Sequence, residues 1–570
     1  MATTDNKTKT DRQFDPTSTS IDTDRARVGG DFRLGEISIR SRSVPTGKLD
    51  LSDKSVFVSL NIFEDLFSNV LKGTFTFLDN QGWAERIPLI GDEDLTISYY
   101  TPGGAGTSTD IQSQTELSSS LEKSEEVVKQ RFKIYDCEET TLTEGQPSKA
   151  YKISFVSYEY VINMKKKISK GYKGKFYHTI VKDVLDKINK DIDPSRQKSY
   201  FIEKTANPQN VIIPNWNPFK SINFCASRSV SSQEGESDQD NPEENQMPFA
   251  PGSLFVFYEK LGTGFFYESI ESMIIKQKSR GNVPRYQHHV KSAGGASKSV
   301  ALDYYGVDRY EIRSSFKTLE NLGNGMYGSK LIAYDPIRMK YDEVKYDYYE
   351  KEKNPETETT DDDGITTVST DPTQAKDDSQ RIFADFIGTD IHPVDKIQNK
   401  LISEKSDYLG SNDSAVRLVT TTKEHDVMFN PGVSGITNIG VESTTFKDIE
   451  AKPNKVENWL LQRDAQVQEF DNISVAFTVK GNSSRHVGDL VRFEVPSLIQ
   501  SSATDVNVPD VGHQLYSGYY LVSRIHHKIT PDEYVTELEL MKNSFAKRIP
   551  GQPDKRQEEA DEILFSGETT

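Results

Sequence analysis

Residues 473–545 constrain the fold of this chain more than any other stretch. They read ISVAFTVKGNSSRHVGDLVRFEVPS, then an acidic-polar insertion, then YSGYYLVSRIHHKITPDEYVTELELMKNSF. Val475, Phe477 and Val479 alternate with polar neighbours, the period of a half-buried strand. Leu490, Phe493 and Val495 mark a second strand, Tyr520, Val522 and Ile525 a third, and Tyr534, Val535, Leu538 and Leu540 a fourth. Pro531-Asp532 supplies the hairpin between the last two. Gly488-Asp489 stands just before the second strand, where a tight turn favours a residue without a Cβ. The pattern predicts a small antiparallel barrel.

The same arrangement occurs earlier. Residues 71–100 read LKGTFTFLDNQGWAERIPLIGDEDLTISYY, with Gly91-Asp92 again ahead of a strand. A Gly/Ser/Thr-rich insertion (101–126) follows, then RFKIYDCEETTLTEGQPSKAYKISFVSYEY. In both places a Gly-Asp strand is followed by a long insertion and a hairpin, which predicts one barrel unit used twice.

The two units, with FYHTIVKDVLDKI, VIIPNWNPFKSINFCASRSV and SLFVFYEKLGTGFFYESIESMI between them and NWLLQRDAQVQEF leading into the second, resemble the baseplate central hub protein of T-even-like contractile-tailed bacteriophages. That hub family is shared with the spike bases of type VI secretion systems. The resemblance runs over about residues 32–545 and lies in the order of the segments rather than in any single motif. It implies a homotrimer that carries a trimeric spike protein below and meets tail-tube or tube-initiator proteins above, with the tape-measure protein as a further contact. It also implies passage of the genome through the ring without specific binding.

The fold class expected is β-rich α+β and multidomain: two similar small antiparallel β-barrels with an α/β domain and a strand-rich insertion between them. The length, 570 residues, suits about three to five domains at ~100–200 residues each. The expected divisions are a disordered polar arm (1–30), the first β-barrel domain (31–165), a small α/β domain (166–253), strands leading to the second barrel (254–300), a Tyr-rich insertion with an acidic loop (301–455), the second barrel unit with its leading helix (456–548) and an acidic tail (549–570). In the α/β part, Phe176, Ile180, Val184 and Ile188 recur every four residues, an apolar helix stripe. Asn217-Pro218 then reads as a helix start, with Trp216 placed to staple it.

The net charge of −18 does not describe a binding surface. Residues 231–250 hold six acids and no bases, 350–380 ten acids and three bases, and 551–570 six acids and two bases. Nearly all the excess lies in loops and a tail, where it serves solubility. No apolar run approaches the ~18 residues of a membrane helix, so no stable membrane insertion is expected. No secretory signal pattern stands at the start, and Cys137 and Cys225 read as buried thiols, consistent with assembly in the bacterial host cytoplasm.

No motif assembles a reaction centre. Residues 359–370 fail as a calcium loop at both the first and twelfth positions, each a threonine. Gly171–Lys175 continues into Phe176, not the Ser or Thr of a phosphate loop. His288-His289 and His526-His527 are neighbours on strands, so each pair points to opposite faces and does not chelate one ion. The basic run at Lys165, Lys166, Lys167, Lys170, Lys173 and Lys175 reads first as a solvated strand edge and second as a polyanion contact. Catalytic, cofactor-binding and metal residues are therefore all expected to be absent. The expected function is non-enzymatic: the structural hub of a virion tail baseplate, adapting a three-fold spike to a six-fold tube. The alternatives are a cell-wall-degrading tail enzyme and the spike base of a non-viral contractile injection machine.

Overall fold

The computed structural model describes residues 30–41, 48–53, 55–86, 89–101, 128–141, 149–206, 209–232, 254–280, 283–288, 304–307, 309–315, 317–326, 328–335, 339–347, 357–360, 366–369, 415–420, 460–470, 472–495 and 516–542. Nearly all of the arm, most of the acidic loops, the 102–127 insertion, His289 and the tail lie outside these.

The first unit comprises β1 (Arg33–Arg40), β2 (Lys48–Asp50), β3 (Phe57–Asp65), β4 (Lys72–Asp79), the short α1 (Trp83–Arg86), β5 (Asp94–Tyr100), β6 (Val128–Thr141) and β7 (Lys149–Ser157). Its strands lie in the order β3-β4-β7-β6-β5-β1-β2. β4 shows the period-2 logic cleanly: Gly73, Phe75, Phe77 and Asp79 are buried and their neighbours half-buried or exposed. The inward side chains pack with Leu60, Ile62, Ile97, Phe132 and Phe155 into one core.

The chain then enters an α/β segment. It holds α2 (Tyr158–Lys165), β8 (Ile168–Lys175), α3 (Tyr177–Asn189), β9 (Ser199–Ile202), β10 (Gln209–Trp216), α4 (Pro218–Ala226), the hairpin β11 (Phe255–Lys260) and β12 (Gly264–Ser269), and α5 (Ile270–Arg280). The helix stripe is present: Ile180, Val181, Val184, Leu185 and Ile188 of α3 are buried. Asn217 does precede α4, but its own side chain makes no cap bond. The cap comes from α2, where Asn163 Oδ1 accepts from Phe219 N at 2.8 Å, and Asn217 Nδ2 donates to the Asn163 carbonyl. Trp216 packs edge-on against Phe224. In the region expected to supply strands toward the second unit, residues 270–280 are helical, because Ile270, Met273 and Ile274 share a face that the second core buries.

The rest of the chain contains β13 (Arg285–His288), β14 (Gly306–Val307), β15 (Arg309–Ser315), α6 (Thr318–Gly323), β16 (Gly328–Asp335), β17 (Lys340–Asp347), β18 (Thr357–Thr360), β19 (Thr366–Ser369), β20 (Val416–Thr420), α7 (Leu460–Phe470), β21 (Ile473–Lys480), β22 (Leu490–Glu494), β23 (Gly518–Ile529) and β24 (Tyr534–Lys542). β16, β17 and β20 form a separate three-stranded sheet, and β18 pairs with β19. Of the tyrosines here, Tyr304 is fully buried and Tyr341 is exposed.

The second unit repeats the first. Its strands run β15-β21-β24-β23-β22, matching β3-β4-β7-β6-β5, and every pairing in both series is antiparallel. The correspondence extends to a β-bulge. The β6·β7 register slips between Ile134 and Asp136, and the β23·β24 register slips between Val522 and Arg524, the same place in each hairpin. Beyond these five strands the units differ, since β1 joins β5 antiparallel whereas β13 joins β22 parallel. Both units lie in one 14-stranded sheet, because β23 also pairs with β3.

Gly481 leaves β21 against the Tyr534 ring, where an added Cβ would sit 2.1 Å from a ring atom. Tyr534 is itself wedged against Tyr99 and Phe32 in the first core. Gly481→Ala should therefore destabilise the protein by about 1–3 kcal/mol through overpacking. Urea unfolding checks this, and an unchanged midpoint would contradict the packing described.

Candidate functional site

The place where the two units meet is built from the alternation of two strands. In β3, Leu60, Ile62 and Glu64 point inward while Phe63 points out; in β23, Ile525, His527 and Ile529 point inward and Arg524, His526 and Lys528 do not. The strands pair antiparallel from Arg524↔Asp65 to Ile529↔Leu60. An acid is thereby carried into a position that pattern alone reserves for an apolar residue.

Glu64 is fully buried and survives as an anion because of its neighbours. His527 Nε2 lies 3.1 Å from Glu64 Oε1, and His486 Nδ1 lies 3.6 Å from the same oxygen. Burial pushes the carboxyl pKa up, but the charge of His486 and the hydrogen bond from His527 outweigh it and bring it down to about 2. His527 is lowered by burial and by the adjacent His486 and His526, so it is the neutral imidazole. Its Nε2–H donates to Glu64, which leaves Nδ1 to accept from the Tyr534 hydroxyl at 2.7 Å. His486 loses charge preference to burial but regains more from Glu64 and Asp489, so its pKa is raised. The result is a buried Glu64–His486 ion pair steadied by a neutral histidine.

On the outer face, the Phe63 and His526 rings stack at 4.5 Å. His526 Nε2 meets Asn61 Oδ1 at 3.0 Å and Nδ1 meets Glu537 at 3.2 Å. Arg524 bridges Asp65 and Glu539. The two histidines of this pair thus occupy opposite faces of β23, as the strand period requires.

The Gly-Asp turns correspond, with one correction to their alignment. Ile134 N donates to Glu93 O, and Val522 N donates to Asp489 O, so Glu93 is the counterpart of Asp489. Each acid closes its turn by accepting from the backbone N three residues earlier: Ile90 N to Glu93, His486 N to Asp489. The glycines, at φ 86° and 80°, therefore sit one position apart. The second turn is built over. Gln277 of α5 brackets it through Gly488 O and Leu490 N, and Tyr258 and Met273 press on Gly488. A cleft of about 400 Å³ beside it is lined by Lys260, Tyr286, Arg485, His486 and Asp489. Among the described residues no helix packs over the first turn, which Lys133 braces through Asp92 and beside which Ile90 and Tyr135 are exposed.

A second buried acid fixes the α/β segment to the first unit. Glu259 of β11 accepts from Ser157 Oγ at 2.6 Å, Gln130 Nε2 at 2.8 Å and Leu71 N at 3.2 Å, and pairs with Lys198 at 2.6 Å; Lys198 also holds Glu159. Neither Glu64 nor Glu259 belongs to a recognisable motif. The available signal is an acid at an inward position of an alternating strand, as in Leu60-x-Ile62-x-Glu64.

The other candidates resolve simply. In the basic run, Lys166 pairs with Asp191, and Lys170 pairs with Asp183 and lies over Tyr172. Cys137 and Cys225 are free thiols; Cys225 is buried as expected but Cys137 is only half-buried, and burial pushes their pKa values up to about 11 for Cys137 and about 12 for Cys225. Part of the calcium-like segment, residues 361–365, lies outside the described residues. Among the described residues, no group of three or more His, Cys, Asp or Glu is arranged to hold a metal ion, and no helix is long and apolar enough to cross a membrane.

No family model and no curated protein matches the sequence. Several solved structures align with this chain. A tail protein from Neisseria meningitidis MC58 aligns at 9% identity and TM-score 0.41, covering 89% of this chain and 96% of that one. The 43 kDa tail protein of prophage MuSo2 from Shewanella oneidensis aligns at 9% identity and TM-score 0.37, over 90% and 100%. A type VI secretion component from Escherichia coli aligns at 6% identity and TM-score 0.34, over 92% and 79%. The structural neighbours are thus phage tail proteins and type VI secretion proteins.

Removing the Glu64 charge leaves His486 buried without its counter-ion, so Glu64→Gln should cost about 3–5 kcal/mol. The pH dependence has a definite sign. Glu64 titrates near 2 folded and near 4.5 unfolded, so its contribution is complete above pH 4.5 and lost as pH falls toward 2. Thermal melts should show the wild type losing stability across that window more steeply than Glu64→Gln. Parallel profiles for the two proteins would contradict the buried anion.

Proposed function

We propose that this protein is the structural hub of a contractile tail baseplate, a homotrimeric ring whose two units per chain act as similar small barrels. Three chains then present six similar units to a six-fold tail tube while keeping three-fold symmetry toward a spike. The observation that carries this reading is the repeated five-strand order with its shared bulge, since a closed ring needs the same patch at equal rotations. The sequence resemblance to the hub family, stated from the order of its segments, supports the same reading.

The buried titratable groups favour a structural role over a catalytic one. Glu64 is held by two histidines, Glu259 by Lys198, Ser157 and Gln130, and Glu268 by Lys276 and Tyr258. Each of these acids joins one element to another rather than opening onto a substrate cleft. The partners that follow are a trimeric spike on one side and tube proteins on the other, within a virion tail.

Native mass of the purified protein tests the proposal. The expected species is three times the 64.3 kDa chain mass. A monomer that persists at high concentration would overturn the ring.

A further inference from the structure

The contact that joins the two units inside one chain has a second, unmade copy. In the made copy, β3 leads off the first unit and pairs with the C-terminal half of β23, residues 524–529. The N-terminal half of β23, residues 518–521, is covered on that same side by β22. β6 is the counterpart of β23 and is divided in the same way. Residues 128–133 pair with β5, and the whole length from Phe132 onward pairs with β7. Beyond the bulge, residues 136–141 have no strand on their second side among the described residues. β15 is the counterpart of β3; it pairs with β21 on one side, and no described strand pairs with its other side.

We infer that β15 of one copy pairs antiparallel with residues 136–141 of β6 in the next copy, repeating between chains the β3·β23 contact made within each. This rests on the trimeric reading above and assigns the surfaces that close the ring. The occupant of each open edge is a second copy of this chain, because the edges are complementary halves of a junction the fold already makes. One chain displays one half at each end, so the contact is head-to-tail, the kind that closes into a ring. Long edges with outward N–H and C=O groups are otherwise templates for uncontrolled pairing.

The register follows by carrying the made contact across. His526↔Phe63 and His527↔Ile62 become Glu138 opposite Arg313-Ser314, where β15 has its own bulge, and Glu139 opposite Ile312. The side chains agree. Asp136, Glu138 and Glu139 are exposed along the β6 edge, and β15 exposes Arg309 and Arg313. Glu138 and Glu139 already have Lys152 and Lys149 beside them and Arg313 already pairs with Glu539, so the backbone ladder supplies the pairing and the flanking charges only accommodate it.

The test places cysteines at Glu138→Cys and Arg313→Cys in a Cys137→Ser background. Oxidation of the double variant should give covalent trimers on a non-reducing gel, and mixing the two single-site chains should give a covalent dimer that neither gives alone. Hydrogen exchange on the unmodified assembly provides the second arm, independent of variant folding: residues 136–141 and 309–315 should both be protected. A trimeric native mass with no cross-link between chains and rapid exchange at both edges would overturn this contact while leaving the hub reading standing. A monomeric wild type would overturn both.

Discussion

The pairing of β3 with β23 is the interaction on which the rest of the molecule depends. It brings together residues such as Asn61 and His526, 465 positions apart along the chain. The hairpin beyond it inserts Ile529 and Tyr534 into the core of the first unit, so the two cores are not separable bodies. Everything between becomes an excursion whose ends are already fixed. Long insertions in such a frame cost little additional closure entropy, since that cost grows only logarithmically with length. The acidic and polar stretches can therefore be long without loosening the sheet.

The two units share a layout but little sequence. Carrying the strand registers across places Gly73 against Val475, Phe75 against Phe477 and Phe77 against Val479. Gly73 is small because Phe155 and the Asn61 carbonyl occupy the space a Cβ would need, whereas Val475 fills a core of its own. The turns have diverged further: α5 and β11 cover the second, and among the described residues nothing comparable covers the first. The α/β segment thus touches both units, through Glu259 on the first and through α5 over the turn of the second.

Much of the local structure was legible from residue pattern. The alternation in β4 and β21, the β23–β24 hairpin at Pro531-Asp532 and the stripe of α3 all follow from periods of 2 and 3.6, which depend on near neighbours. The duplication was legible too, because the order of strands and turns survives when identities do not. The seam was not. Glu64 becomes meaningful only when His486 and His527 arrive from more than 400 residues away, and nothing local marks them as partners. The alignment of the turns on their Gly-Asp pairs missed Glu93 for a similar reason, since the equivalence is set by which carbonyl receives Ile134 N rather than by residue identity. Residues 270–280 escaped because the face shared by Ile270, Met273 and Ile274 covers barely one turn.

A duplicated unit serves as an adaptor only if both copies stand at equal stations around the axis. A reconstruction of the assembled ring measures this directly, through the operation that carries β3, β4, β5, β6 and β7 onto β15, β21, β22, β23 and β24. The expected operation is a rotation of about 60° around the three-fold axis with no displacement along it, six equal stations from three chains. A rotation far from 60°, or units at different heights, would contradict the adaptor even in a trimeric assembly.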